Sequence, residues 1–249
     1  MPAQKKTNPV QFVSFSGIDG AGKSTQINAL RARLEEIGLR VRIISFWDEV
    51  ACLTGIREGA GHTLFRGDKG IGTPDAPINR RDKNVQSWPM SCVRLGMYLL
   101  DAISVRRVVG RALRSDADFL IFDRYIYDEL ANLRLRNPIL RAYARILLVL
   151  VPKPQISYLL DADPVQARAR KPEYPLEFLH FNRQSYLDLS MLHGTMTVIP
   201  PMPVEGVKKQ VLDHAMQELS FESDRGAGAK EFPHGRSRLR QPKARPVVF

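Results

Sequence analysis

Cysteines are scarce in this sequence, and long apolar runs are absent. The 249 residues include only two cysteines, Cys52 and Cys92, which do not form a C-x-x-C pair, so we expect neither a disulfide framework nor a zinc site. The longest apolar run, residues 146–151, is too short to span a bilayer. The first residues are not followed by the apolar segment of a secretory signal. These absences argue against a secreted or membrane protein and favour a location in the reduced cytoplasm.

Acidic residues are fewer than basic residues. There are 26 Asp and Glu against 37 Lys and Arg, which gives a formal net charge of +11. Nearly half of this excess lies in residues 224–249, which hold seven Lys or Arg, two acids and several Gly and Pro. Such a composition favours disorder. We therefore expect an N-terminal arm at 1–9, one folded domain at 10–220 and a disordered basic tail at 221–249.

Because much of the positive charge lies in the tail, the charge predicts partners mainly for the tail. A solvated tail is one interpretation, and weak electrostatic attachment to nucleic acid or to an anionic membrane is the alternative. Outside the tail we expect no nucleic acid and no membrane as partner.

A glycine-rich motif follows a short apolar run near the N-terminus. Residues 17–24 read G-I-D-G-A-G-K-S, which matches the G-x-x-x-x-G-K-[ST] pattern at every fixed position. The apolar run at 10–15 predicts a strand before it, and Ile27, Leu30 and Leu34 recur at helical spacing after it. A strand and a helix on either side favour a phosphate loop over a chance glycine-rich turn.

This loop predicts how ATP is held. Its glycines let backbone N–H groups and the helix N-terminus face the phosphates. Lys23 would reach the β and γ phosphates, and the Ser24 hydroxyl would ligate Mg²⁺. The predicted nucleotide-binding residues of the loop are Gly17, Asp19, Gly20, Ala21, Gly22, Lys23, Ser24 and Thr25.

Strand and helix patterns alternate along the rest of the domain. Apolar runs predict strands at 39–46, 119–122, 155–160 and 195–199, and helical periodicity predicts helices at 93–113, 130–151 and 204–219, with shorter helical stretches before and after Pro172. This alternation predicts an α/β protein, with a parallel sheet of about five strands covered by helices on both faces. With the phosphate loop, it is the P-loop NTPase fold. The Gly- and Pro-rich stretch at 55–77 predicts a long loop that is either functional or disordered.

Charged residues follow the predicted strand at 119–122. In open parallel sheets, ligands bind at the carboxyl ends of the strands. Asp123 is therefore placed to hold Mg²⁺ through water, and Arg124 to clamp a phosphate with its fork of donors. A surface ion pair that closes the strand is the alternative.

Three segments carry a resemblance to the thymidylate kinase family of phosphate-loop nucleoside monophosphate kinases. They are the loop G-I-D-G-A-G-K-S-T-Q at 17–26, the D-R-Y at 123–125, and L-D-A-D-P at 160–164 with the basic segment and the P-L-E-F through F-N-R-Q-S-Y-L-D-L stretch that follow it to 189. The order of elements agrees over most of residues 10–219. The chain resembles a divergent member of this family.

The resemblance implies transfer of the ATP γ-phosphoryl group, with Mg²⁺, to a nucleoside monophosphate, with thymidylate as the first candidate (dTMP + ATP to dTDP + ADP). It implies that Asp19 meets the acceptor's sugar hydroxyl or its phosphate network, and that Arg124 binds the acceptor phosphate. Arg168, Arg170 and Lys171 would close over ATP as a lid, with solvated surface charges as the alternative. Dimers are common in the family, which makes a homodimer a candidate assembly. The implied catalytic residues are Lys23, Arg124, Asp19 and Arg170.

The acceptor half departs from the family pattern. After the second strand, where the family has an arginine-glutamate-proline segment, this chain has S-F-W-D-E at 45–49. The base-recognising F-A-A-D-R stretch reads Y-L-L-D-A at 98–102, and Ala102 cannot hydrogen-bond a thymine. Ser16 replaces the acid before the first loop glycine, and the lid lacks the usual D-R-I-E. We hypothesise that a different pocket is built by Phe46, Trp47, Tyr98 and Arg94.

Two other functions stay open. The altered pocket permits a kinase for another small phosphorylated or hydroxylated acceptor. A nucleotide-binding module without catalysis, whose basic tail grips a polyanion, is the alternative from a different class.

Overall fold

Five strands form one parallel sheet in the order β2-β3-β1-β4-β5. A computed structural model describes residues 10–51 and 88–228; the predictions for 1–9, for the loop at 55–77 and for 229–249 lie outside the described residues. The strands are β1 Gln11–Ser16, β2 Val41–Ser45, β3 Phe119–Asp123, β4 Ile156–Leu160 and β5 Thr197–Ile199. The predicted α/β fold with a five-stranded parallel sheet is confirmed.

Helices connect the strands. In a parallel sheet, each strand must be followed by a connection long enough to return the chain to the same end of the sheet. A short π-helix, Phe46–Val50, follows β2 directly. The α-helices are α1 Lys23–Glu36, α2 Trp88–Ala112, α3 Ile126–Leu130, α4 Pro138–Leu150, α5 Pro164–Arg170, α6 Leu176–His193 and α7 Val204–Gly228.

The two faces of the sheet bury separate hydrophobic clusters. Because side chains alternate along a strand, Phe12 of β1 packs on one face, with residues of α2, α3, α4 and α6. Val13 and Phe15 pack on the other face, with Ile27 of α1 and Val211 of α7. Helices therefore cover both faces, as predicted, and the centre of the sheet is almost continuously apolar.

β1 is the central strand, and its neighbours determine where the site lies. It pairs with β3 on one side and with β4 on the other, and Phe15 stands in register with Asp123. The carboxyl ends of β1, β3 and β4 thus meet at one edge. This edge receives the phosphate loop after β1 and Arg124 after β3.

The prediction of one helix over 130–151 is wrong. Residues 131–137 separate α3 from α4, and α4 begins at Pro138. The side chain of Asn137 accepts hydrogen bonds from the backbone N–H groups of Ile139 and Leu140, at 2.9 and 3.4 Å. An N-cap asparagine followed by proline is a helix start signal, and it overrides the apolar periodicity that continues across it.

The last helix extends beyond its predicted end. α7 continues from Val204 to Gly228, so residues 221–228, which the composition assigned to the tail, lie in this helix. Within the described ranges, none of the helices combines the length and the apolar character needed to cross a bilayer.

Candidate active site

The phosphate loop takes a backbone path that depends on its glycines. Gly17, Gly20 and Gly22 have φ values of 143°, 83° and 88°, which L-residues with a side chain rarely adopt. A Cβ on Gly17 would lie 2.5 Å from the carbonyl oxygen of Leu160, and one on Gly20 would lie closer still to the carbonyl oxygen of Ala167. The loop therefore packs directly on β4 and α5, with no room for a side chain at Gly17 or Gly20.

Lys23 is the first residue of α1 and lies under this loop. Its side chain is only 7% exposed, and its Nζ donates hydrogen bonds to the carbonyl oxygens of Gly17 and Ile18, at 2.7 and 2.9 Å. Burial, with the nearby charge of Arg124, lowers the pKa of Lys23 to about 8. A phosphate bound in the loop would supply the negative charge that stabilises the protonated amine.

The start of α1 fits an anion. Gly22 is the N-cap residue and supplies no capping side chain, so no side-chain acceptor satisfies the first N–H groups of the helix there. Such a helix start, preceded by a glycine-rich loop, matches the recurrent binding site for nucleotide phosphates. Ser24 and Thr25 are exposed in this first turn. The residues present therefore fit ATP phosphates.

The oxygen donors nearby fit Mg²⁺. Asp123 ends β3, beside β1, and is partly buried, while the Ser24 hydroxyl is exposed at the start of α1. Burial raises the pKa of Asp123. One carboxylate and one hydroxyl, completed by water and phosphate oxygens, are the ligands that Mg²⁺ takes in nucleotide sites.

Arg124 is held in an unusual conformation at the carboxyl end of β3. Among residues 10–51 and 88–228 it is the one non-glycine residue with positive φ, at 68°. Its Nη2 donates to Asp19 of the loop, and its Nη1 donates to Asp128 at 3.2 Å. Burial acts to lower the pKa of Arg124, but the carboxylates of Asp128 and Asp19 outweigh it and raise that pKa above its ordinary value. The structure thus brings Arg124 and the phosphate loop together through Asp19.

Sequence reasoning missed Asp128. It lies in α3 and is 4% exposed. Its carboxylate accepts hydrogen bonds from the hydroxyls of Ser16 and Tyr186, both at 2.7 Å, in addition to the bond from Arg124. The available signal was an acid only four residues after Arg124; the two side chains meet across the start of α3, which begins at Ile126. The replacement of an acid at position 16 by Ser16 was a second signal.

The basic segment after β4 contacts the loop. Asp163 caps α5 by accepting a bond from the N–H of Gln166 at 2.9 Å. At the end of α5, Arg170 Nη1 donates to the carbonyl oxygen of Gly20 at 2.9 Å, and Lys171 Nζ lies 3.9 Å from Asp19. Arg168 lies in the last turn of the same short helix. Two of the three predicted lid residues therefore touch the phosphate loop.

The pocket hypothesised for the acceptor is only partly present. Phe46 is fully buried and Tyr98 nearly so, and both belong to the core beneath the sheet face. Trp47 is less buried and packs edge-on against Phe46, with the ring centres 5.5 Å apart. Ala102 is buried in the same cluster. Of the four residues in the hypothesis, Trp47 and Arg94 are partly exposed, so a ligand can reach these two.

Comparisons with known proteins bear on the family and the fold. The chain is 25% identical over 208 residues to a probable thymidylate kinase of Archaeoglobus fulgidus, covering 80% of this chain and 92% of that protein. The resemblance to the thymidylate kinase family is confirmed. A crystal structure of thymidylate kinase from Ehrlichia chaffeensis has a TM-score of 0.52 and 19% identity, covering 84% of this chain and 99% of that one; this likeness shows the shared fold. No protein-family model matches the chain.

Proposed function

We propose that this chain is an ATP-dependent nucleoside monophosphate kinase that phosphorylates thymidylate, forming dTDP and ADP. One observation carries the proposal: Asp19 joins the phosphate loop, which fits the donor, to Arg124, which fits the acceptor phosphate. Phosphoryl transfer needs the two phosphates held in line and their charges neutralised, with little covalent chemistry by the protein. The Archaeoglobus relative supports the same activity.

On the donor side, the loop N–H groups and Lys23 bind the β and γ phosphates. Lys23 stabilises the charge that spreads over the transferred group in the transition state. Ser24 and Asp123 would hold Mg²⁺, which would supply further charge neutralisation. Arg170 and Arg168 approach from α5 and exclude water when they cover the ATP phosphates.

On the acceptor side, Arg124 binds the acceptor phosphate through its guanidinium fork. A guanidinium carries five N–H donors, so the bonds to Asp19 and Asp128 do not exhaust it. Asp19 orients Arg124 and meets the acceptor's sugar hydroxyl or its phosphate network. Catalysis then consists of positioning and charge stabilisation by Lys23, Arg124, Asp19 and Arg170.

A kinase for another small phosphorylated or hydroxylated acceptor is the second candidate. It is favoured by the π-helix Phe46–Val50 at the end of β2 and by the buried Ala102, since both lie where base and acceptor contacts are made in the family pattern. A non-catalytic nucleotide-binding module whose tail binds a polyanion remains the third candidate; residues 229–249 of that tail lie outside the described residues.

We also propose a homodimer. The neighbouring helices α2 and α4 are joined by a hydrogen bond from Tyr143 to the carbonyl oxygen of Leu95, and they expose apolar side chains that a second copy would cover. The exposed residues are Val93, Leu99, Leu100, Ile103, Ile139, Ile146, Val149 and Leu150. Sedimentation equilibrium tests it: a monomer at micromolar concentration contradicts the proposal. A location in the cytoplasm stays a prediction.

An ATP-consumption screen tests the activity. Purified protein with Mg²⁺ and ATP is offered each common ribo- and deoxynucleoside monophosphate, with the Lys23→Ala protein as the blank and an active monophosphate kinase as the positive control. Selective turnover of thymidylate supports the first candidate. Turnover of none of the panel, with ATP still bound, contradicts it and directs the search to other phosphorylated metabolites.

A further inference from the structure

The carboxylate of Asp128 is buried and fully engaged. Ser16 Oγ donates to Oδ2 at 2.7 Å, and the backbone N–H of Tyr125 donates to the same oxygen at 3.3 Å. Tyr186 and Arg124 donate to Oδ1, at 2.7 and 3.2 Å. These four bonds fill about all the lone-pair sites that a carboxylate offers.

A buried carboxylate is costly unless it is paired and hydrogen-bonded. Asp128 is 4% exposed, and the charge that compensates it is that of Arg124. The side chain of Arg124 is only 18% exposed and is bonded by two acids on its two terminal nitrogens. Arg124 therefore combines a strained backbone with a guanidinium that is fixed at both terminal nitrogens. A strained conformation persists where the surrounding structure holds the residue in place.

Asp128 also joins three elements at the same edge of the sheet. Ser16 is the last residue of β1, immediately before the phosphate loop, and Tyr186 belongs to α6. Through Ser16, the carboxylate of Asp128 lies against the residue that precedes the first loop glycine, although Asp128 itself belongs to α3.

We propose that Asp128 is a positioning residue for the acceptor: it holds Nη1 of Arg124 while Asp19 holds Nη2, and so aims the guanidinium at the acceptor phosphate. The inference rests on the proposed kinase activity. Asp128 itself contacts no substrate. Its effect passes through Arg124, so it acts on use of the acceptor rather than on binding of ATP.

Asp128→Asn tests this with nearly unchanged side-chain volume. The charge is lost, and we expect the KM for the acceptor to rise by about tenfold, the size of one charge-assisted hydrogen bond, while the KM for ATP changes by less than about twofold. Asp118→Asn is the matched control, because Asp118 accepts three hydrogen bonds from Arg40, one from its backbone N–H and two from its guanidinium, at the opposite end of β3. It should leave both KM values unchanged. An equal rise of both KM values in Asp128→Asn, or a change in thermal stability alone, overturns the proposal.

A double-mutant cycle separates positioning from a purely structural role. In an Arg124→Lys background, the fork that Asp128 aims is absent, so adding Asp128→Asn should raise the acceptor KM by less than about threefold. Effects that multiply in the double variant overturn the proposal, because Asp128 would then act independently of Arg124.

A spectroscopic measurement keeps the inference testable if the kinase activity itself fails. The guanidinium N–H signals of Arg124 can be observed by ¹⁵N nuclear magnetic resonance and assigned by their loss in Arg124→Lys. We expect Asp128→Asn to broaden or shift them and Asp118→Asn to leave them in place. A wild-type protein that turns over no monophosphate overturns the proposed function; signals that are unchanged in Asp128→Asn overturn the positioning role.

Discussion

The donor half and the acceptor half of the site are built differently. The proposed donor half centres on one continuous segment, residues 17–25, whose backbone conformation and lysine follow from a local motif; Asp123 of β3 and the arginines of α5 are proposed to join it. The acceptor half is assembled from separate elements: Asp19 of the loop, Arg124 after β3, Asp128 of α3 and Tyr186 of α6. A binding site made of one segment can be read from sequence, whereas one made of side chains far apart in the chain depends on the fold.

The largest effect is expected on the donor half. Lys23→Ala should lower kcat by about 10²- to 10³-fold, because the amine stabilises charge that develops in the transition state. Circular dichroism and thermal unfolding should show a folded protein. Lys209→Ala, which removes an exposed lysine of α7 paired with Asp213, is the control and should keep full activity. A folded Lys23→Ala protein with normal turnover contradicts the role.

On the acceptor half, Arg124→Ala should raise the acceptor KM by about 10- to 100-fold, the range for a lost bond between charged groups. The KM for ATP should change much less. Steady-state kinetics with each substrate varied in turn measures both, and Arg40→Ala, at the far end of the sheet, is the control. Equal rises in the KM for ATP and the KM for the acceptor would contradict the assignment of Arg124 to the acceptor. If burial of unpaired Asp19 and Asp128 unfolds the variant, Arg124→Lys provides the same test.

The pH dependence of ATP binding sharpens the comparison, since it follows the protonation of Lys23 on the proposed donor side. The pKa of Lys23 is lowered to about 8 without ligand, and bound phosphate raises it. At pH below 8 the amine is already protonated, but above 8 binding must take up a proton, so affinity falls as pH rises. We expect about a tenfold loss between pH 7 and pH 9 from one such group. Calorimetric titration with ATP measures it, and a Lys23→Ala protein with the same pH dependence would contradict it.

The smallest expected effect is a difference in stability between alanine variants of the phosphate loop and of an ordinary turn. Gly20 and Gly38 have nearly the same φ, 83° and 85°, but only Gly20 lies against another segment, the backbone of Ala167. Gly38→Ala should therefore lower the free energy of unfolding by about 1–2 kcal/mol, because of its backbone conformation alone. Gly20→Ala should lower it by at least about 1 kcal/mol more, because the added methyl group meets α5. Urea unfolding of both variants measures the difference. Equal losses of unfolding free energy in the two variants would mean that α5 moves to accommodate the added methyl group.

Local patterns predicted most of the fold. Alternating apolar strands and periodic helices were sufficient for the five-stranded parallel sheet, because the buried strands are short continuous apolar runs between helices. The pattern failed at Asn137 and Pro138, where a capping signal divides an otherwise helical run. Position along the chain also suggested Phe46 and Tyr98 for a ligand pocket, but both are buried in the core, because position alone does not distinguish packing from binding.

The sequence by itself determined the phosphate loop, because positive φ at its glycines, the helix start and the lysine are all properties of consecutive residues. It also determined that Asp123 and Arg124 stand at a strand end. Only the tertiary structure decided that Arg124 is held between Asp19 and Asp128, that Ser16 and Tyr186 complete this network, and that Arg170 reaches Gly20. The physical reason is sequence separation: Asp19 and Arg124 are 105 residues apart in the chain, and the pairing of β1 with β3 brings them together.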